Sequence, residues 1–337
     1  MRVLLPVLLL IGALRCSAGA EALGPDAATA GQRGLAALVA LQHGDGSFSE
    51  IHGINALAGM ALLAGGHTPE RGTYRQASRR CLDHLLEAQD PLTGFIGDRV
   101  GTMYSHGFAT LYLAECYGMS GDDRVREALA GALDCIFRAQ NHEGGWRYNP
   151  AEGDADISVT VCQINAIRAA YNTGLGGDSA QQVVTRALGY VRACHNGDGS
   201  FRYQADMGRI HGGRVGPDAV SRSAAGVMSL MGGGVYNLGD PMVAAGLDLL
   251  RRFATVHAEQ QGHYYWYGQY YAAQALFMSR RPEDWGRYWE RIAQLVPALQ
   301  GGDGLWRGPD DWGPAYNTAM ALLVLQIPNE YLPIFQR

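Results

Sequence analysis

The amino-acid sequence predicts an all-α fold, an α6/α6 toroid in which six helical hairpins form two concentric rings. Two observations predict it. A glycine-rich segment that runs from a glutamine to an aromatic residue recurs along the chain, and each copy lies between two helices of opposite character. The helix before it is amphipathic, whereas the helix after it is apolar nearly all round. A helix without a polar face must be buried on every side, so the second helices form the inner ring.

The first twenty residues differ from the rest. Arg2 supplies a positive charge, residues 3–14 are almost wholly apolar, and Ala18, Gly19 and Ala20 form a small-residue cleavage pattern. We interpret residues 1–20 as a signal peptide cleaved near Ala20, and residues 21–337 as a single toroid domain with six repeats. The protein is therefore expected to be secreted or periplasmic. It is not expected to span a membrane, because no later segment reaches about 20 consecutive apolar residues.

Composition narrows the class of protein. Glycine accounts for 46 of the 337 residues, about twice its usual share of about 7%, but without the Gly-X-Y period of collagen. An apolar fraction of 47% with a net charge of −5 argues for a folded chain. All 27 basic residues are arginines scattered among 32 acids, so no basic tract predicts nucleic-acid binding. Five cysteines follow residue 20 without CxxC spacing, which favours buried free thiols over the alternative of one disulfide.

The repeated segment places a glutamine six residues before an aromatic residue in five copies. A sixth copy, Cys194 to Phe201, has lost the glutamine and gained one residue. Because the period is about 40 to 65 residues, a repeat architecture is considered first. The five regular copies are Gln42 to Phe48, Gln89 to Phe95, Gln140 to Trp146, Gln260 to Trp266 and Gln300 to Trp306.

Twelve helices flank these copies. The outer, amphipathic helices are predicted at Thr29 to Leu41, Tyr74 to Ala88, Arg126 to Ala139, Gln181 to Ala193, Pro241 to Glu259 and Asp284 to Leu299. The inner, alanine-rich helices are predicted at Ala56 to Ala64, Phe108 to Tyr117, Val159 to Tyr171, Ser223 to Met231, Tyr270 to Met278 and Asn317 to Gln326.

The repeated segment resembles the QW motif of the prenyltransferase and squalene-cyclase repeat family, whose members are α/α toroids. Residues 156–175 and 316–337 resemble an exported, single-toroid branch of that superfamily found in bacterial genomes. We expect the glutamine amide to satisfy carbonyls at the C-terminal end of its own outer helix, while the aromatic ring packs over the turn. The intervening glycines supply positive φ.

Functional residues are expected where the loops enter the inner helices, because six helix N-termini then converge on one mouth of the ring. Unpaired N–H groups and helix dipoles at that mouth favour an anion. Tyrosines near the start of the fifth inner helix can line the lumen and hold an apolar or cationic guest, or simply plug it. The candidate ligand-binding residues are His106, Ser158, His211, Arg214, Asp218, Arg222, Tyr265, Tyr267, Tyr270 and Tyr316.

Asp154 and Asp156 are the candidate catalytic residues. Asp156, followed two residues later by Ser158, resembles the D-x-D-D-T type motif with which class II terpene cyclases protonate an alkene. Ile157 stands where that motif has an acid, and about 317 mature residues make one barrel, whereas those cyclases enclose substrate between two. The alternative is that Asp156 or Ser158 caps the following helix.

Other members of the superfamily imply chemistry that this chain lacks. Protein prenyltransferase β-subunits are single toroids whose zinc is held by an aspartate, a cysteine and a histidine. Asp218 matches the aspartate, but Val220 and Gly268 stand at the other two positions, so no metal site and no cofactor are predicted. The reactive Cys-Gly-Glu-Gln sequence of complement-type thioester domains is also absent.

Three functional hypotheses remain open. The first is non-covalent binding, in the central cavity, of an isoprenoid-like or other apolar ligand with a polar or anionic head. The second is a proton-initiated terpene cyclase with Asp156 as general acid. The third is a protein-interaction scaffold that acts through its outer or end surface.

Overall fold

A computed structural model describes residues 25–98, 102–151, 153–207, 216–235 and 237–336. Within these ranges the chain forms twelve α-helices and no strand, with two isolated β-bridges that close glycine turns. The helices are α1 (Pro25–Ala40), α2 (His52–Ala64), α3 (Arg75–Glu87), α4 (Thr102–Ser120), α5 (Asp123–Ala139), α6 (Ile157–Asn172), α7 (Gly177–Ala193), α8 (Val220–Gly232), α9 (Pro241–Glu259), α10 (Tyr265–Met278), α11 (Pro282–Ala298) and α12 (Gly313–Gln326). No helix in these ranges is long and apolar enough to cross a bilayer. The predicted signal peptide, residues 1–20, lies outside them.

The even-numbered helices form the inner ring and the odd-numbered helices the outer one. Each inner helix packs against the next, and α12 packs against α2, which closes the ring. Outer helices pack mainly on the inner helix that precedes them, and α1 also contacts α11 across the closure. The α6/α6 toroid predicted from the repeats is therefore confirmed. We call the end where the inner helices begin the mouth, the opposite end the lower end, and the space enclosed by the inner ring the lumen.

The inner helices begin earlier than their apolar pattern predicts. Helix α2 starts at His52 instead of Ala56, and α4 starts at Thr102 instead of Phe108. Their first turns carry polar side chains that bond to neighbouring loops, so hydrophobic periodicity does not detect them. This extra turn brings polar groups to the mouth.

The glutamine of each regular turn does not cap its own helix, contrary to expectation. The Gln140 Nε2 donates to the Gly144 carbonyl and, at the same 2.8 Å, to the Val183 carbonyl of the next outer helix. Trp146 instead caps its own helix, because its Nε1 donates to the Ile136 carbonyl at 2.8 Å. The glutamine therefore links neighbouring repeats. The same pair of bonds joins Gln42 to Gly46 and Ala77, Gln89 to Gly94 and Ala128, and Gln300 to Gly304 and Ala30.

The turn between α9 and α10 is held by different hydrogen bonds. Gln260 is exposed, and the buried His257 holds the turn through its Nε2, which lies 3.2 Å from the His263 carbonyl. Gln269 donates to His257 Nδ1 at 2.8 Å. Burial lowers the pKa of His257, which is consistent with a neutral ring that donates through one nitrogen and accepts through the other.

The cysteines and the C-terminal segment both lie inside the packed structure. All five cysteines from Cys81 to Cys194 are free and buried, which confirms the prediction of free thiols over a disulfide. Residues 327–336 cover the lower end of the inner ring, with Ile334 and Phe335 at most 1% exposed. The Ile334 amide donates to Glu115 Oε2 at 3.4 Å, so the last segment is bonded to the inner wall.

Candidate functional site

Amide groups at the start of four inner helices already have acceptors, which argues against an anion bound at those four helix N-termini. In each of these helices an N–H of the first turn bonds to the loop that leads into the next inner helix. These bonds join His52 to Asp98 Oδ2 (2.9 Å), Met103 to the Tyr148 carbonyl (3.0 Å), Ile157 to the Tyr203 carbonyl (2.9 Å) and Trp266 to Asp310 Oδ2 (3.0 Å). Because these donors are occupied, they are not available to an anionic ligand.

Carboxylates occupy the positions where we expected an anion to bind. Asp98, Asp156 and Asp310 lie at the N-termini of α2, α6 and α10, where the helix dipoles stabilise their negative charge. Burial raises the pKa of both Asp156 and Asp310. These three carboxyl groups disfavour an anionic head group next to the N-termini of α2, α6 and α10.

Asp156 is the N-cap of α6. Its Oδ1 accepts from the Ser158 and Val159 amides at 2.8 and 2.9 Å, and its Oδ2 accepts from the Tyr203 hydroxyl at 3.0 Å. The side chain is fully buried, with Arg147 Nε 3.6 Å from Oδ2. Both oxygens are thus engaged as acceptors, which is the capping geometry considered from the sequence.

Asp154 does not share this environment. Its side chain is 60% exposed and forms an ion pair with Arg147 at the rim of the mouth. The Arg147 guanidinium also lies over the Tyr148 ring, 5.0 Å from its centroid, and the Tyr148 and Tyr203 hydroxyls are 2.7 Å apart. The two aspartates therefore do not form a catalytic pair; one is a buried cap and the other a surface partner of an arginine.

Aromatic rings fill the lumen just below the mouth. Phe108 and Tyr270 reach towards each other from α4 and α10, on opposite sides of the ring, with centroids 6.4 Å apart. Tyr271 packs edge-on against Tyr270, and its hydroxyl lies 3.4 Å from the Cys162 sulfur on α6. Tyr270 and Tyr271 are at most 1% exposed. At this level the tyrosine cluster is a plug, the alternative left open by the sequence.

Three tyrosines above this plug remain partly exposed: Tyr104, Tyr267 and Tyr316. Burial nevertheless raises the pKa of each well above its usual value, and the Cys162 thiol interacts electrostatically with all three hydroxyls. These three partly exposed tyrosines lie around Cys162 at the mouth, and we refer to the surface that they form as the recess. Tyr267 reaches from α10 to α6, where its hydroxyl donates to the Ser158 carbonyl at 3.1 Å.

Three residues predicted to bind ligand lie in the packed core instead. His106 is fully buried; its Nδ1 accepts from the Ile96 amide and its Nε2 lies 3.1 Å from the Ala132 carbonyl. Burial lowers its pKa to about 4. Tyr265 packs between the inner and outer rings of helices, against the side chains of His257 and Trp266. Tyr270 belongs to the plug. The sequence pattern placed all three near the mouth but did not show which way the side chains point.

Two of the remaining predicted residues, Asp218 and Arg222, lie nearer the rim. Asp218 is exposed, whereas Arg222 is half-buried with its Nε 3.4 Å from the Phe201 carbonyl. His211 and Arg214 lie outside the described residues. Within the described ranges, no three His, Cys, Asp or Glu side chains come together as metal ligands.

Sequence reasoning missed three aromatic side chains at the mouth. Tyr148 and Trp312 are 41% and 52% exposed and lie in the loops that lead into α6 and α12. Tyr104 was missed because the predicted α4 begins four residues later. The sequence did place Tyr264, which is 56% exposed, at the entry of an inner helix. Tyr104 and Trp312 could have been found as aromatic residues within a few positions of an inner-helix start.

No protein-family model and no curated protein sequence matches this chain. Several solved structures match it in fold. The type II terpene cyclase MstE from Scytonema is 14% identical, with a TM-score of 0.62 over 91% of this chain and 99% of that one. The α-1,6-mannanase GH76A of Salegentibacter is 8% identical, with a TM-score of 0.67 over 90% and 99%. A GH76 α-mannanase from Bacteroides thetaiotaomicron is 9% identical, with a TM-score of 0.66 over 90% and 96%.

Two of these proteins have been solved with a bound molecule. MstE has been solved with geranylgeranyl dihydroxybenzoate as substrate, and the Salegentibacter mannanase with α-1,6-mannotriose. At these identities the likeness concerns the fold alone. The chain shares the α/α toroid fold with terpene cyclases and α-mannanases.

Proposed function

We propose that the protein binds a small amphipathic molecule, such as an isoprenoid-like alcohol, at the mouth of the toroid and does not transform it. The observation that carries this proposal is the recess formed by Tyr104, Tyr267 and Tyr316 above a filled lumen. Ring faces offer apolar surface with a hydroxyl at the edge, which suits a ligand that is apolar over most of its length.

The surroundings of the recess support the same ligand class. Trp312 and Tyr264 extend the apolar surface outward from the recess at the same end of the toroid. Asp156 and Asp310 lie at the mouth, so we expect the head group to be a neutral hydroxyl rather than a phosphate. The toroid of MstE holding a geranylgeranyl compound shows that this fold accommodates such molecules.

Titration calorimetry with geraniol and with geranyl phosphate tests the proposal. We expect geraniol to bind and geranyl phosphate to bind more weakly. Replacement of Trp312 or Tyr316 by alanine should weaken geraniol binding by about twofold to twelvefold, since an aromatic contact contributes about 0.5–1.5 kcal/mol.

Tyr331→Ala is the matched control, because Tyr331 is 56% exposed and follows α12 at the lower end. Its affinity for geraniol should equal that of the unmodified protein. An equal loss in Tyr331→Ala, no geraniol binding at all, or binding of α-1,6-mannotriose in place of geraniol would contradict the proposal.

One observation favours a second function, proton-initiated cyclisation by Asp156. Burial raises the pKa of this carboxyl, as an acid catalyst requires. Against it, three hydrogen bonds already engage both carboxylate oxygens. We therefore expect no cyclised product by mass spectrometry after incubation with geranylgeranyl substrates. Asp156→Asn should lose about 1 kcal/mol in stability, because an amide nitrogen in place of Oδ2 cannot accept from the Tyr203 hydroxyl. A cyclised product that disappears in Asp156→Asn would establish the enzyme instead.

A further inference from the structure

A second concave site lies at the lower end of the toroid, away from the mouth. Its volume is about 440 Å³, and it opens between the last turns of α4 and α6, where Pro333 of the C-terminal segment forms one wall. Glu115 is the single charged residue among those that line it in the described structure, and no lining residue is basic. The proposed function uses no part of this pocket.

The electrostatics of the pocket are negative for two independent reasons. Helices α4 and α6 end there, at Ser120 and Asn172, and the C-terminal end of a helix carries about half a negative charge. The Glu115 carboxyl is 1% exposed, and the hydrogen bond that its Oε2 accepts from the Ile334 amide is long at 3.4 Å. A buried carboxyl held by one long hydrogen bond has capacity for a stronger partner.

The rest of the lining is mixed. Ala114 and Met119 of α4, Ala169 of α6 and Pro333 supply apolar surface, whereas Ser120, Asn172 and Thr173 supply polar groups. Such a site offers one carboxyl group and hydrocarbon contact on part of its wall. It fits a molecule with one positive charge on an alkyl chain.

We propose that this lower pocket binds a small alkylammonium ion, with the ammonium group on the Glu115 carboxylate and the alkyl chain against Ala114, Met119 and Ala169. The ammonium N–H groups donate to the carboxylate oxygens, and the helix C-termini add to the attraction. If Glu115 is protonated before binding, its proton leaves to solvent when the ammonium group arrives.

The ionisation of Glu115 makes the binding dependent on pH. Burial raises its pKa to about 8, while the Ile334 amide and the Arg168 charge act in the opposite direction. Cys116 on the same helix and Tyr270 on α10 also interact with this carboxyl. Below pH 8 the carboxyl is mostly neutral, so binding must displace a proton; above pH 8 it is already charged. Alkylammonium affinity therefore rises as the pH increases through about 8.

Calorimetry with n-hexylammonium, n-hexanol and hexanoate tests the site. We expect hexylammonium to bind, with affinity at least tenfold higher at pH 9 than at pH 6, and with release of about one proton per ion bound at pH 6. Hexanol should bind much more weakly and hexanoate not at all. Equal binding of hexanol and hexylammonium, or affinity independent of pH, would overturn the proposal.

Two variants and one control locate the binding. Glu115→Gln should remove the pH dependence and lower affinity at pH 9 at least tenfold, whereas Glu127→Gln, the same change on the exposed face of α5, should leave both unchanged. Gly118→Leu should block binding without harming the fold, because a Cβ there makes only an ordinary 3.5 Å contact with Thr173 Cγ2. Full binding by Gly118→Leu or by Glu115→Gln would contradict the assignment.

The stability of Glu115→Gln shows whether that variant is folded and whether the carboxyl is strained. A carboxyl whose pKa is raised on folding stabilises the native state below its unfolded pKa, and that contribution is lost as the pH rises to the folded value. Without ligand, Glu115→Gln should therefore melt at a higher temperature than the unmodified protein at pH 9, and at a similar temperature at pH 4. A lower melting temperature at pH 9 would contradict the pocket electrostatics on which the proposal rests.

Discussion

Replacement of Gly199 by alanine is expected to cost about 2–5 kcal/mol of unfolding free energy. Gly199 has φ of +89°, and a Cβ there would fall well inside van der Waals distance of the Ala245 carbonyl on α9. The left-handed conformation contributes about 1–2 kcal/mol and the overlap with a rigid helix backbone about 1–3 kcal/mol. Urea denaturation followed by circular dichroism at 222 nm measures the loss, which is a large fraction of the stability of a typical domain.

Gly197, in the same turn, provides the matched control. Its φ is +96°, but nothing lies within 4 Å of a Cβ built there. Gly197→Ala should therefore lose only the conformational part, about 1–2 kcal/mol. If the two variants lose the same free energy, close approach to the next outer helix is not the reason for glycine at position 199. The equivalent glycines, each facing a carbonyl of the next outer helix, are Gly46, Gly94, Gly144 and Gly304.

Gln140→Ala should destabilise the protein by about 2–6 kcal/mol. The side chain is 2% exposed and donates to two carbonyls, Gly144 and Val183, at 2.8 Å each. Its removal leaves both acceptors without that donor in a buried setting, at a cost of about 1–3 kcal/mol for each unsatisfied group. The same denaturation measurement applies.

Gln260→Ala tests whether the stability loss of Gln140→Ala comes from the burial of the glutamine and its bond to the next outer helix. Gln260 holds the same position in its repeat, but it is exposed, and His257 holds that turn. We expect a change within about 0.5 kcal/mol. Similar losses for the two glutamine variants would show that the bond from Gln140 to the next outer helix contributes little.

These two predictions concern one structural device. In four of the five regular repeats a glycine permits close approach to the next outer helix, and a glutamine bonds to that same helix. Gln300 does so with Ala30 of α1, which joins the last repeat to the first. The ring is thus closed by the same kind of bond that joins neighbouring repeats.

The hydrophobic pattern predicted the fold because the pattern is local and repeated. The six pairs of helices, their order and the assignment of inner and outer rings follow from which helices lack a polar face, as α2 and α12 do. The capping role of Asp156 was also open to prediction, since it depends on residues two and three positions later.

The site was harder to predict because its geometry depends on contacts between repeats. His106, Tyr265 and Tyr270 stand near inner-helix starts as expected, but their side chains point into the core. Tyr104 and Tyr316 differ from them only in the direction that packing against neighbouring helices gives the side chain. A helix rotates by 100° per residue, so one position decides between the recess and the core.

The sequence by itself determined that this chain is a closed double ring of helices and that polar and aromatic residues gather where the inner helices begin. Only the tertiary structure decided the chemistry of that end. A helix N-terminus by itself attracts anions. Here the loop of the next repeat places the Asp98 carboxylate at the N-terminus of α2 and the Asp310 carboxylate at the N-terminus of α10. Those acceptors come from residues more than 40 positions away, and no local pattern shows that they satisfy the helix before a ligand can.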